Sequence, residues 1–258
     1  MGKLSNPRDL PDVACVRPEI EKISFRAFVK HSKILDIGCN TGQVTATLAS
    51  LSDRRVIGVD IDEELILAAY ANHGCKHPNV YFDCANFLSV GLDVNGKIAE
   101  IGAQGSALSR GSNIPFCNYE WRADSFDMIV AFSVTKWIHF QYGDIGIKRF
   151  FANIMLKLRP GGIFVLEAQP WKSYKKKKDL TTDIAQTVAN IKLHPGKFKE
   201  YCVGELGFQY MATINGETGE MHADKSESSD VPAYQVKPVA ARNCGFDRPI
   251  MIFQKKCY

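Results

Sequence analysis

Lys33-Ile34-Leu35-Asp36-Ile37-Gly38-Cys39-Asn40-Thr41-Gly42 runs a short apolar strand directly into a turn with glycine at two positions. Beyond the turn, Val44, Leu48 and Leu51 recur at helical spacing, so the segment reads as strand, tight turn and helix. The pattern then repeats. Arg55-Val56-Ile57-Gly58-Val59 is a second strand ending at Asp60, and Leu65, Ile66, Ala69 and Tyr70 supply a second helical face. Successive βα units of this kind build a mostly parallel sheet with helices on both faces. Working outward, further strands are expected at Val80–Phe82, Phe126–Phe132 and Ile163–Glu167, the last after a Pro160-Gly161-Gly162 turn. Asp144 is expected to cap the intervening helix, whose apolar face holds Ile147, Phe150, Phe151, Ile154, Leu156 and Leu158. Gly207–Thr213 and Pro249–Gln254 read as two more strands that close the sheet with an antiparallel edge. The expected fold class is α/β, with seven strands in one domain.

Composition narrows the class further. The 258 residues are 45% hydrophobic and 23% charged, ordinary values that exclude disordered, collagenous and coiled-coil chains. Apolar runs such as Asp127–Phe132 or Ile163–Ala168 fall far short of the roughly 20 residues a membrane helix needs, so no membrane association is expected. The first thirty residues lack the apolar core of a secretory signal, which points to a nuclear or cytoplasmic location. Eight cysteines show no Cys-x-x-Cys pair and no zinc-type spacing with histidine; they read as reduced, mostly buried thiols, with no metal site. The net charge is +4, but Lys172, Lys175, Lys176, Lys177 and Lys178 crowd within seven residues.

In an open α/β sheet the ligand crevice lies at the carboxyl ends of the strands, where the Gly38–Gly42 turn falls. A dinucleotide fingerprint would place glycine at the positions held by Asn40 and Gln43, so NAD and FAD are disfavoured. A nucleoside without phosphates needs only room at Gly38 and Gly42 and a carboxylate at the next strand end for the ribose hydroxyls, which Asp60 offers. Asp62 reads more simply as the N-cap of the following helix. Asp36-x-Gly38-x-Asn40-x-Gly42 with Gly58-Val59-Asp60-Ile61-Asp62 resembles the class I methyltransferases, whose Rossmann-like sheet binds S-adenosylmethionine in this crevice. That resemblance implies cofactor contacts at Asp36, Gly38, Cys39, Asn40, Gly42, Asp60 and Ile61.

Two later segments resemble a narrower family. Ser133-Val134-Thr135-Lys136-Trp137-Ile138-His139, Tyr142-Gly143-Asp144-Ile145-Gly146, Leu158-Arg159-Pro160-Gly161-Gly162, Glu167-Ala168-Gln169-Pro170-Trp171-Lys172-Ser173-Tyr174 and Gly245-Phe246-Asp247-Arg248-Pro249-Ile250 look like the Bin3 family of RNA methyltransferases. The likeness covers residues 33–87 and 124–256, leaving 1–32 as an N-terminal segment and 33–258 as a methyltransferase domain with insertions near 88–122 and 214–240. Residues 91–113, with five glycines, and the polar 215–230 read as loops. The resemblance implies methyl transfer from S-adenosylmethionine to the 5′-terminal phosphate, mono- or triphosphate, of a small noncoding RNA.

A phosphate oxygen is already anionic near neutral pH, so attack on the methyl needs position and electrostatics rather than a strong base. Lys136 and His139, three residues apart after the fourth strand, are the candidates for holding that phosphate, with Tyr174 beside the reacting centre. Gln169, Trp171, Lys172, Tyr174 and Lys175 are candidate substrate contacts: an amide, stacking faces and phosphate-binding cations. The resemblance also sets Asn86 and Phe87 beside the adenine, with Phe132 on its other side; Asn118 and Tyr119 offer an alternative pair. Members of the family usually carry a Tyr- and Arg-rich tract before the first strand, whereas here no tyrosine precedes Tyr70, and Arg8, Arg17 and Arg26 are the arginines of that region. A monomer acting on an RNA 5′ end, with ribonucleoprotein partners, is the leading expectation. Alternatives are an RNA-stabilising subunit with little catalysis, and a small-molecule or protein methyltransferase to which the lysine run is dispensable.

Overall fold

The computed structural model describes residues 29–92, 98–100, 123–175, 181–215, 221–223 and 248–257. Most of the N-terminal segment, Asn118 and Tyr119, Lys176 to Lys178, and much of both insertions lie outside the described residues.

The opening βα units form as the periodicity predicts. Strand β1 (Ile34–Ile37) leads to helix α1 (Gln43–Leu51), and β2 (Val56–Asp60) leads to α2 (Glu63–Ala69), which ends in a wide turn at Tyr70–Gly74. Asp62 caps α2 through Oδ1, which accepts the amides of Glu64 and Leu65. Strand β3 (Val80–Cys84) follows and runs two residues longer than the apolar run suggested, because Asp83 and Cys84 pair with Val59 and Asp60.

The region read as a glycine-rich loop contains a small antiparallel hairpin, β4 (Val90–Leu92) with β5 (Ile98–Glu100). Strand β6 (Phe126–Phe132) enters helix α3 (Thr135–Lys157), which breaks at Gly143 (φ 59°, ψ −155°). Strand β7 (Leu158–Glu167) takes in the Pro160-Gly161-Gly162 segment, with an irregular register against β6. Three short helices follow that the sequence reading did not place: α4 (Trp171–Lys175), α5 (Thr182–Asn190) and α6 (Phe198–Gly204). The closing strands are β8 (Gln209–Ile214), β9 (Met221–Ala223) and β10 (Ile250–Gln254).

The main sheet runs in the order β3-β2-β1-β6-β7-β10-β8-β9. Its first five strands are parallel, and β10 lies antiparallel to both β7 and β8. The expected seven strands and antiparallel edge are present, and the short β9 adds an eighth at the margin, inside the stretch read as a polar loop.

Side chains alternate across the sheet. Leu35, Ile57 and Ile129 join Phe150, Phe151, Phe164 and Phe198 on one face, while Ile34, Val56 and Met128 join Val44, Leu48 and Ile66 on the other. With each such residue worth about 1.5–3 kcal/mol on burial, these two layers supply the main driving force for folding. Strand order reverses between β1 and β6, which opens a crevice at their carboxyl ends. No described helix is long and apolar enough to cross a membrane.

Candidate donor and acceptor site

The turn after β1 is built by backbone. Gly38 and Cys39 both donate to the Val59 carbonyl, at 2.8 and 2.9 Å, which ties the turn to β2. Gly38 has φ +74°, and a Cβ there would stand 2.9 Å from Val134 Cγ2 on the segment leaving β6. The two chain segments flanking the crevice therefore touch at a position only glycine permits. Asn40, itself in the left-handed region at φ 52°, donates its amide to Asp60 Oδ2 at 2.9 Å, and Asp62 donates to Oδ1 at 3.1 Å. These bonds aim a partly exposed carboxylate across the turn and oppose the upward pKa shift that burial imposes on it. Ile61 beside it is 66% exposed.

Asp36 lies beneath the turn, fully buried, and accepts from Thr45 Oγ1 at 2.7 Å. Burial pushes its pKa up to about 7. It is thus a supporting group under the turn. Cys39 is buried, and burial together with Asp36 and Asp60 raises its thiol well above the usual range. Of the five described thiols, all free, Cys39 and Cys202 are buried and Cys84 is partly covered. Cys75 and Cys257 are exposed, so the expectation of mostly buried cysteines does not hold among the described thiols, Cys15, Cys117 and Cys244 lying outside the described residues.

The segments after β6 and β7 interlock. Gln169 is buried; its amide nitrogen donates to the Ser133 carbonyl, and its oxygen accepts from Lys136 N at 3.2 Å and Thr135 Oγ1 at 3.3 Å. Gln169 therefore acts as a brace for the start of α3, with both ends of its amide engaged by protein. Lys136 is 9% exposed, with Nζ 5.0 Å from the Trp137 ring centroid.

His139 and Tyr174 meet but do not open onto the crevice: each is 0% exposed, and His139 Nδ1 lies 3.1 Å from the Tyr174 hydroxyl. His139 Nε2 stands 3.5 Å from Asp144 Oδ1 without hydrogen-bond alignment. Burial pulls the histidine pKa down to about 4 and pushes the Tyr174 phenol up. A neutral, enclosed imidazole and an enclosed phenol suit a support beneath Lys136 better than contact with a phosphate. Trp171 packs on Tyr174 and on His194, with ring centroids at 5.1 and 4.1 Å, while Lys172 and Lys175 project into solvent. Asp144 accepts from Lys192 N and Leu193 N at 3.0 to 3.2 Å; its carboxylate thus holds the α5–α6 connection where an N-cap role was expected.

On the β3 side, Asn86 stays partly exposed, accepting from Leu88 N at 3.0 Å and donating to the Tyr142 hydroxyl at 3.1 Å. The Phe87 ring turns inward, edge to face with Phe150 at 5.7 Å, and is a core residue. Phe132 is partly exposed at the end of β6.

The sequence reading missed the charged group that closes this edge. Arg248 Nη1 donates to Glu167 Oε1 at 2.7 Å and to Ser133 Oγ at 2.6 Å. Its signal was available: a glutamate ending the apolar run of β7, and an arginine two residues before the last strand. Among the described residues no group of three or more His, Cys, Asp or Glu side chains is arranged to hold a metal ion.

The arrangement fits a nucleoside donor. At Gly38 and Gly42 the space a side chain would take is filled by Val134 and by Phe82 and Ala69, so the glycines serve the packing of the turn rather than room for a ligand, while Asp60 presents carboxylate oxygens at the rim and Asn86 offers an amide. Comparisons agree with such a site. The family model described as Bicoid-interacting protein 3 (Bin3) matches residues 126–255, and a methyltransferase-domain model matches 34–99. The chain is 30% identical to the 7SK snRNA methylphosphate capping enzyme of Mus musculus over 92% of its own length and 39% of that protein's. It is likewise 30% identical to the U6 snRNA methylphosphate capping enzyme Amus of Drosophila melanogaster, over 88% of this chain and 64% of the fly protein. The chain thus spans less than two thirds of both capping enzymes. Among solved structures, the N-methyltransferase NodS of Bradyrhizobium japonicum in complex with S-adenosyl-L-homocysteine superimposes with a TM-score of 0.51 at 12% identity, covering 96% of this chain and 90% of NodS, a likeness of fold.

Proposed function

Because this chain belongs to the Bin3 family, we propose that it is an S-adenosylmethionine-dependent O-methyltransferase acting on the 5′-terminal phosphate of a small RNA. The observation that carries the reading is the contact between the Gly38 turn and the Val134 segment. It joins the turn that orients Asp60 to the segment that opens α3, two residues before Lys136.

S-adenosylmethionine, when bound, supplies an electrophilic methyl that passes to a phosphate oxygen as the new O–C bond forms and the S–C bond breaks, the sulfur keeping the electron pair. The chain's own groups then have plain tasks. Asp60 is the acceptor for ribose hydroxyls, its carboxylate already oriented by Asn40 N and Asp62 N. Lys136, held by Gln169 through its backbone, supplies one positive charge for the phosphate. One cation rather than a cage leaves the oxygen nucleophilic. Lys172 and Lys175, exposed beside Trp171, suit sequence-independent contacts further along the RNA. His139, Tyr174 and Gln169 serve by positioning.

Labelled S-adenosylmethionine incubated with matched RNAs ending in 5′ phosphate or 5′ hydroxyl tests the proposal. Label entering the phosphorylated RNA alone is the expected result. Equal labelling of both would move the acceptor away from the terminal phosphate, and labelling of neither would leave an RNA-binding protein with a methyltransferase fold.

A further inference from the structure

The Tyr142-Gly143-Asp144-Ile145-Gly146 motif has a local structure that the acceptor chemistry does not use. Tyr142 is 44% exposed at the end of the first half of α3, yet its hydroxyl is fixed by Asn86 Nδ2 at 3.1 Å, across a gap of 56 residues in sequence. Two glycines build its position. Gly143 adopts φ 59° and ψ −155°, a conformation that breaks the helix directly after the tyrosine. Gly146 leaves the space the tyrosine occupies, since a Cβ there would collide with Tyr142 Cβ. An exposed aromatic that is this constrained is poorly explained by packing alone.

Its partner is the informative group. Asn86 Oδ1 accepts from Leu88 N at 3.0 Å, so the amide is held at both ends in one orientation. That leaves its second N–H and a further carbonyl lone pair for a ligand. Asn86 follows the end of β3, where the Ala85 amide donates to the Asp60 carbonyl at 2.9 Å, so Asn86 and Asp60 leave the same edge of the sheet.

We propose that Tyr142 is a specificity-determining positioning residue of the donor site: it locks the Asn86 amide so that the crevice reads the hydrogen-bonding edge of the nucleobase. This rests on the donor reading above. Losing the tyrosine hydroxyl frees one end of the amide, which then adapts to either donor–acceptor pattern. Discrimination between bases should fall further than affinity itself.

Calorimetry of the whole chain with S-adenosylhomocysteine and with S-inosylhomocysteine, whose base exchanges an amino group for a carbonyl, tests this. The native protein should prefer the adenine compound by about tenfold or more, from one lost and one mispaired hydrogen bond. Tyr142→Phe should narrow that preference to about threefold or less while keeping the unfolding midpoint. Gly146→Ala, which displaces the tyrosine without removing it, should narrow it too. An unchanged preference in Tyr142→Phe overturns the proposal while leaving the donor site standing. Failure of the native protein to bind either compound overturns both.

Discussion

Arg248 and Glu167 lie 81 residues apart in sequence and meet at 2.7 Å, with Ser133 Oγ accepting from the same guanidinium nitrogen at 2.6 Å. The pair fastens the entry to β10 onto the ends of β6 and β7, and it does so where Ser133 holds a left-handed backbone (φ 57°). The Glu167 side chain is only 5% exposed, so removing the arginine leaves its charge in a poorly solvated place with the Ser133 hydroxyl, donating at 2.8 Å, as its remaining side-chain partner. Arg248→Ala should therefore lose about 3 kcal/mol, at the low end for a buried pair because the arginine side chain keeps 23% exposure. Urea unfolding checks this. A variant that unfolds at the native midpoint would show that solvent screens the pair.

Asp60 supports a prediction about ligand affinity. Its carboxylate organises the turn by accepting from Asn40 N and Asp62 N, and its remaining lone pairs are the acceptors proposed for the ribose. Hydrogen bonds to a charged group contribute about 1.5–3 kcal/mol each, so Asp60→Ala should weaken S-adenosylhomocysteine binding by at least about tenfold. Equilibrium dialysis measures it. Native-like affinity in a folded variant would remove Asp60 from the donor site.

Two buried titratable groups pull stability in opposite directions with pH. Asp36 has its folded pKa raised from 3.8 to about 7, so the folded state holds a proton that the unfolded state releases; stability from this group falls as pH rises from about 4 to 7. His139 has its pKa lowered from 6.5 to about 4, so the unfolded state takes a proton first; stability from this group is lost as pH falls from 6.5 toward 4. The two slopes largely cancel between pH 4 and 6.5. Asp36→Asn, which still accepts from Thr45, should remove one downward contribution, those of Asp60 and Asp83 remaining, and so make the change of stability with rising pH more positive than in the native protein across that window. His139→Gln should expose the aspartate and give stability that falls. Urea titrations at three pH values separate them, and parallel profiles for the two variants would contradict the opposed shifts.

The parallel strands and the glycine turn were legible because strand length, turn residues and helical period are local properties. Asp62 was legible as a cap for the same reason. The facing of single side chains was not. Lys136 and His139 sit three apart on one helical turn and both are buried, the lysine with its ammonium over the Trp137 ring and the histidine enclosed by Tyr174 and Phe198, which arrive from 35 and 59 residues later. The resemblance sets Phe87 beside the adenine, but Phe150 fixes it in the core. Asp144 carries the composition of an N-cap, and the Lys192 and Leu193 amides compete successfully for its carboxylate. Each of these outcomes depends on a partner distant in sequence, which no window of periodicity contains.

The contact between Gly38 and Val134 yields a prediction that separates sterics from backbone strain. Gly38→Ala imposes two costs. A non-glycine residue at φ +74° costs about 1–2 kcal/mol, and a Cβ 2.9 Å from Val134 Cγ2 and 3.1 Å from Val134 Cβ adds about 1–3 kcal/mol of overpacking. Shortening the valine removes the nearer of those atoms, so the second cost should fall in the double variant while the first persists. Gly38→Ala with Val134→Ala should therefore be less destabilised than the sum of the two single changes by about 1 kcal/mol or more, a coupling expected only of residues in contact. The single Gly38→Ala variant should also bind S-adenosylhomocysteine poorly, because the added methyl is directed at Val134 and displaces the turn, and the double variant should recover part of that affinity. Strict additivity in unfolding free energy would mean that the turn and the β6 exit move apart at no cost, and the crevice would then lack the fixed spacing on which in-line transfer depends.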